Sequence, residues 1–138
     1  MYPILGIDYG TARIGCAIAD ATTHIPLPYA IIQVETKEDT LGSIVRMVSD
    51  EKIATVVVGL PLGQEGKETF MSARARTFGE ELKQKINANV VFEDERYTSR
   101  MGKEASNPKA QRTKGNADQR AAMFIVERFI ARMFFKML

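Results

Sequence analysis

Cysteine and histidine are nearly missing from this chain of 138 residues: it holds 1 of each, Cys16 and His24. A single cysteine excludes any disulfide within the chain. Its place in an alternating apolar run marks it as a small buried hydrophobe, which suits a reducing, cytoplasmic setting. His24 has no Cys or carboxylate at ligand spacing and is given no role. Long hydrophobic runs are lacking as well. No stretch reaches the roughly 20 apolar residues of a membrane helix, and the C-terminal apolar run is broken by Glu127, Arg128, Arg132 and Lys136. Met1-Tyr2-Pro3 carries no basic segment of a secretory signal, so a cytoplasmic location is expected and no membrane partner. Repeats, low-complexity tracts and linkers are missing too. The length suits one domain, and a chain of this size can bury enough surface to fold without disulfide or metal.

Net charge is small, +2, but unevenly placed. Residues 1–95 hold 9 Lys and Arg against 14 Asp and Glu, whereas residues 96–138 hold 10 against 3. A basic C-terminal third suggests a polyanionic partner, nucleic acid first. The plain alternative is a solvated basic loop and helix.

What is present begins with Ile4 to Ala19. An apolar run, Tyr2 to Ile7, ends in a lone carboxylate, Asp8. Gly10 and Thr11 make a bend. Ile14, Cys16 and Ile18 then alternate with small residues, which is strand periodicity. The stretch predicts a β-hairpin with Asp8 near its bend. A lone acid between buried strands is costly without a cation or hydrogen-bond partners. Asp8 is therefore the first candidate for chemistry, the alternative being an Asp that only caps the turn.

A polar loop, 20–28, leads to a third strand at Tyr29 to Val34. Leu41, Ile44, Val45 and Val48 predict an amphipathic helix over Thr40 to Glu51. Thr55 to Leu60 is a continuous β-branched run suited to a strand buried on both faces, stopped at Pro61. Thr69 to Ile86 carries Met71, Ala75, Phe78 and Leu82 at helical spacing. Val90 to Phe92 is a short strand that runs into Glu93-Asp94-Glu95-Arg96. From Tyr97 to Ala117 the chain is polar and basic, and Ser106-Asn107-Pro108 excludes one continuous helix there. A short helical turn and then a mobile loop are expected. The last helix starts near Asn116, which has capping-box spacing to Gln119, and buries Ala122, Ile125, Phe129 and Met133. The order β-β-β-α-β-α-β-α predicts an α/β fold, a mixed sheet with helices on its faces.

Asp8 ends the first strand and Glu95 follows the last. If the first, fourth and fifth strands are parallel, these ends share the edge where open α/β sheets build their sites. Asp118 lies four residues before Ala122, on the same helix face, and can be laid over that edge. Its alternative is a first-turn acid that suits the helix dipole. Three converging carboxylates call for a divalent cation, and oxygen-only ligands point to Mg²⁺ or Mn²⁺. Asp8, Glu95 and Asp118 are thus the expected catalytic and metal-binding residues. Such a cluster suits phosphodiester hydrolysis with two ions about 4 Å apart. Gly10 and Thr11 at the bend, with Arg13, Arg74, Arg76, Arg96 and Lys114, are the expected substrate contacts, the cations holding phosphates. Arg74 and Arg76 are two apart on one helix and cannot share a face, so at least one should make a surface ion pair.

Four motifs now stand in order: Gly6-Ile7-Asp8-Tyr9-Gly10-Thr11-Ala12-Arg13-Ile14-Gly15, Val57-Val58-Gly59-Leu60-Pro61-Leu62, Asp94-Glu95-Arg96-Tyr97-Thr98-Ser99 and Asp118-Gln119-Arg120-Ala121-Ala122. Together they resemble the YqgF (RuvX) family over nearly the whole chain. The resemblance implies a single ribonuclease H-like domain, residues 1–138, with a five-stranded mixed sheet in the order 3-2-1-4-5. It implies a metal-dependent nuclease that matures the end of the pre-16S ribosomal RNA in the cytoplasm; monomer and homodimer both stay open from the sequence. A Holliday junction resolvase acting on branched DNA is the alternative. The family's acidic site maps onto Asp8, Glu95 and Asp118. Two departures stand out. Residues 102–114 do not follow the family pattern. Many nucleases of this fold also carry an acid at the end of the fourth strand, where this chain has Gly59-Leu60-Pro61, so Glu95 would reach in from the fifth.

Two other classes compete. Gly-Ile-Asp-Tyr-Gly-Thr also looks like the first phosphate loop of the actin and sugar-kinase superfamily, but such enzymes close two domains over ATP and this chain has length for one. A non-catalytic nucleic-acid-binding protein would keep the fold and the basic third without needing metal.

Overall fold

A computed structural model describes residues 1–96 and 117–137. Its sheet has five strands: β1 (Ile4–Tyr9), β2 (Arg13–Ala19), β3 (Leu27–Gln33), β4 (Thr55–Leu60) and β5 (Asn89–Asp94). Three helices accompany it: α1 (Lys37–Asp50), α2 (Phe70–Lys83) and α3 (Ala117–Met137). The strand order is β3-β2-β1-β4-β5. β1 pairs antiparallel with β2 and β2 with β3, whereas β4 runs parallel to both β1 and β5. The expected order and mixed pairing are both observed.

Alternation along β1 and β4 sorts the core into two layers. Leu5, Ile7, Val56 and Val58 face α1 and α2, packing with Leu41, Ile44, Ala75, Phe78 and Leu82. Ile4 and Val57 face the other way, onto Ile125, Val126 and Phe129 of α3. All six residues of β4 are buried, as the β-branched run demanded. Each such Val or Ile taken fully out of water is worth about 1.5–3 kcal/mol, so the central strands anchor the fold.

The helix starts follow local chemistry. The Thr36 hydroxyl accepts from the Asp39 N–H, so α1 begins at Lys37, a turn earlier than its apolar stripe suggests. Thr69 and Ser72 form a reciprocal capping box at the start of α2. β5 extends two residues past Phe92, to Asp94, because Val58, Gly59 and Leu60 continue the parallel pairing. The Asn116 side of the expected α3 cap, and the turn and loop expected over 97–116, lie outside the described residues.

Candidate active site

The parallel strands β1, β4 and β5 end at one edge of the sheet, and three acids are delivered there from different elements. Asp8 is the fifth residue of β1, on the α3 face with Ile4 and Gly6. Glu95 follows β5, and its backbone N–H donates to the Leu60 carbonyl at 2.9 Å. That bond ties Glu95 to the end of β4. Its side chain then crosses Gly59: a Cβ on Gly59 would lie 2.6 Å from both Cγ and Cδ of Glu95. The Glu95 side chain is thus laid over the end of β4, through space that the glycine leaves. Asp118 arrives on the first turn of α3. Its backbone packs so closely on Gly15 that a side chain there would collide with it. Gly15 is the β2 partner of Asp8, so α3 enters directly over the Asp8 register.

Asp8 and Glu95 share a hydrogen bond. Glu95 supplies the proton. Burial, then the bond to Asp8 and the Asp8 charge, push its carboxyl up to about 10. Asp8 is raised too, first by burial, with the charge of Asp118 adding to it and the Glu95 bond opposing it. Burial in the layer facing α1 and α2, with a smaller part from the Asp8 charge, pushes the Cys16 thiol up to about 12. Asp118 is held differently: Arg13 Nε donates to its Oδ2 at 2.8 Å.

Of the residues singled out from sequence, the structure brings Asp8 and Glu95 into contact and sets Asp118 and Arg13 beside them. Gly10 and Thr11 form the bend next to Asp8, between β1 and β2. Arg96 also stands at this edge but is held by Asp94, whose Oδ2 accepts from Arg96 Nε at 2.8 Å. Burial works against the Asp94 carboxylate, yet the bonds from Arg96 outweigh it and keep it below its usual range. Arg76 pairs with Glu68 at 3.3 Å and lies over the Phe92 ring, the ion pair expected of one of the two helix arginines. Arg74 stacks instead on Phe70, 5.5 Å from its ring centre. Lys114 lies outside the described residues.

Sequence reasoning missed one cluster. Glu93, whose side chain is 3% exposed, meets Arg128 at 3.3 Å and Arg132 at 2.7 Å. It had a signal: Glu93 lies in β5 two residues before Glu95, and Arg128 and Arg132 are one helical turn apart. These contacts clamp α3 against β5.

A buried glutamate and a half-buried aspartate that share a proton to coexist fit a hard divalent cation, which would neutralise both. Among the described residues, however, no group of three acids stands at spacing for one ion. The expected convergence is therefore a pair, Asp8 and Glu95, with Asp118 turned onto Arg13.

A family model described as "RuvX: Holliday junction resolvase" matches residues 2–132. The chain belongs to the RuvX family. Relatives of this RuvX chain include a protein of Maridesulfovibrio salexigens named "Putative pre-16S rRNA nuclease", 29% identical over 132 residues, covering 94% of this chain and 98% of the relative. A protein of Nitrosospira multiformis with the same name is 34% identical, over 91% of this chain and 85% of its own. Among solved structures, RuvC of T. thermophilus in complex with a Holliday junction substrate superimposes with a TM-score of 0.62 at 14% identity, over 94% of each chain. The fowlpox virus resolvase in complex with Holliday junction DNA gives 0.58 at 14% identity, over 95% of this chain and 98% of that one. At that identity the likeness concerns the fold, and the RuvX chain has the ribonuclease H-like architecture its motifs implied.

Proposed function

We propose that this RuvX protein is a divalent-metal-dependent nuclease that hydrolyses phosphodiester bonds in the precursor of 16S ribosomal RNA. The observation that carries this reading is the pair formed by half-buried Asp8 and buried Glu95 at the carboxyl edge of the parallel strands, with α3 seated over it through Gly15. The names of the relatives supply the RNA. Asp8 and Glu95 are the residues that would hold Mg²⁺ or Mn²⁺, with Asp118 available once Arg13 turns to a substrate phosphate. When bound, such ions activate a water and stabilise the leaving oxygen, commonly as a pair. The chain's own part is to hold two carboxylates in fixed contact, Glu95 buried and Asp8 half-buried. Holding such an ion would require Glu95 to release to solvent the proton it shares with Asp8. The Gly10-Thr11 bend lets a phosphate approach the backbone beside Asp8, and Arg13 supplies a bidentate phosphate contact. Arg96 extends the basic margin at this edge, and Lys114 is a further phosphate contact expected from the sequence alone.

The whole chain, 1–138, acts as one nuclease unit in the cytoplasm. Among the described residues no helix is long and apolar enough to cross a membrane. Two other readings share the test. The family description and the junction-bound resolvase neighbours favour four-way DNA as a second substrate, and a symmetric cut there needs a two-fold dimer. A protein that only binds would need no metal. Purified chain is incubated with Mg²⁺ or Mn²⁺ and either a labelled pre-16S leader RNA or a four-way junction, alongside Asp8→Asn. Cleavage of RNA that disappears in Asp8→Asn while binding persists supports the proposal. Cleavage of the junction alone moves the substrate to DNA. Binding without cleavage of either overturns catalysis.

A further inference from the structure

On the opposite face of the sheet from Asp8 lies an open cavity of about 460 Å³ between the start of α1 and the face of α2. Its volume falls in the roughly 300–1,000 Å³ span of small-ligand sites. Tyr9, the residue after Asp8, forms one wall, and because strand side chains alternate it points here while Asp8 points to α3. Tyr9 packs on Phe78 with ring centres 5.0 Å apart. Phe70 forms the far wall and is 74% exposed, an unusual cost for a ring on the first turn of a helix. The Arg74 guanidinium lies over it and, among the described residues, makes no ion pair. Lys37 and Glu81 neutralise each other at the rim, 2.5 Å apart. That leaves one carboxylate, Glu35, facing the cavity. The Val34 N–H donates to the Ala12 carbonyl at 2.9 Å, so the cavity wall is fastened to the same hairpin that carries Asp8.

We infer that this cavity receives an unpaired nucleobase of the strand whose phosphate lies at Asp8. The inference rests on the nucleic-acid reading above. Rings on two walls offer stacking surfaces that any base can use. Arg74, stacked on Phe70, presents its remaining donors to a neighbouring phosphate. Glu35 can accept from an exocyclic amino group. A base inside a duplex could not enter, so the cavity selects single-stranded nucleic acid beside the cut. Adjacent nucleotides straddle the sheet edge, the phosphate on the α3 side and the base on the α1–α2 side.

The test uses the full chain carrying Asp8→Asn, so that nothing is cleaved. Single strands of about 12 nucleotides, one sequence as RNA and as DNA, carry 2-aminopurine at successive positions. One position should be quenched on binding. Phe70→Ala should abolish that quenching and weaken single-strand binding roughly tenfold, the worth of one stacked base, while Phe70→Tyr restores both. Phe70 is exposed, so its truncation leaves the melting temperature in place. Quenching in the RNA arm alone assigns the cavity to RNA; quenching in both assigns it to any unpaired strand. Unchanged binding in Phe70→Ala, or no position-specific quenching, overturns the inference. So does a wild-type dimer that Phe70→Ala dissociates, because the face is then an interface between copies. Binding with quenching but no cleavage by the wild type removes the nuclease reading and leaves the cavity. Cleavage by the wild type with Phe70→Ala binding normally removes the cavity alone.

Discussion

Glu95 occupies the space that a side chain on Gly59 would fill: a Cβ there would stand 2.6 Å from its Cγ and Cδ. Ile125 Cδ1 would stand at 2.5 Å as well, so one methyl group should displace both Ile125 and the carboxylate beside Asp8. Gly59→Ala is expected to lower RNA cleavage at least about 100-fold, the scale of a lost catalytic group. Overpacking should cost about 1–3 kcal/mol. Gly42 in α1 is the control, because nothing lies within 4 Å of a Cβ there. Gly42→Ala should keep full activity and gain roughly 0.5–1 kcal/mol from helix propensity. Thermal melts with cleavage rates on the two variants check the contrast. Equal activity in both would mean that the close approach at Gly59 does not set the position of a catalytic Glu95.

The shared proton makes metal-free stability depend on pH. Glu95 is pushed up to about 10 in the fold and returns to the ordinary value of about 4.3 when unfolded. A raised carboxyl favours folding fully below the unfolded value, and that contribution is lost as pH climbs toward the folded one. Metal-free wild type should thus lose stability between about pH 5 and 9, by at most about 1.4 kcal/mol per pH unit. Glu95→Gln keeps the donor to Asp8 and cannot ionise, so its melting temperature should vary less over the same window and exceed the wild type's at the alkaline end. Adding Mn²⁺ at pH 8 should raise the melting temperature of the wild type and not of Glu95→Gln. Parallel pH curves for the two proteins would show that the pair does not share a proton.

Much of this geometry was legible in the residues. The β-branched run over Thr55 to Leu60 fixed a central strand, and the acids ending β1 and β5 fell on one edge once those strands ran parallel. Asp118 on the Ala122 face placed α3 correctly. Pairing partners were not legible, because a sequence does not show which cation a carboxylate will meet. Arg13 and Asp118 are 105 residues apart, and their bond depends on α3 crossing β2 at Gly15. The α1 start was read late because Thr36 caps it through a hydroxyl, outside the apolar pattern. Glu93 was passed over as one of four consecutive charges, although strand alternation separates it from Asp94.

Arg13 and Asp118 form an exposed pair, their side chains 55% and 27% accessible, and such pairs are worth only about 0–1 kcal/mol. Substitution of either should spare the fold. Their effects on function should differ. Asp118→Asn is expected to reduce cleavage about 100-fold with RNA affinity maintained, as a lost ligand or base would. Arg13→Gln should weaken RNA binding several-fold and lower the salt dependence of binding by about one ion, as a lost phosphate contact would. Titrations at several salt concentrations separate the two. A salt slope unchanged in Arg13→Gln would confine Arg13 to holding Asp118.

Glu93 is where stability and site meet. Its carboxylate is almost fully enclosed and is met by Arg128 and Arg132, with Arg132 Nη2 donating at 2.7 Å and Nε at 3.1 Å. Removing one partner of a buried ion pair costs about 3–5 kcal/mol, but both arginines are more than a third exposed and water can take over part of their solvation. Glu93→Ala should therefore destabilise by roughly 2–3 kcal/mol, and Arg132→Ala, which leaves Arg128 in place, by about 1 kcal/mol. Because α3 carries Asp118 at its other end, a loosened clamp should also lower activity before the protein melts. Denaturant unfolding gives the first quantity, and cleavage rates on the approach to the transition give the second. Glu93→Met, which fills the same volume without charge, should recover part of the stability lost in Glu93→Ala, the recovery limited by the buried Nε of Arg128 that faces Glu93. If Glu93→Met is no more stable than Glu93→Ala, the clamp works through its ion pairs alone and packing contributes nothing.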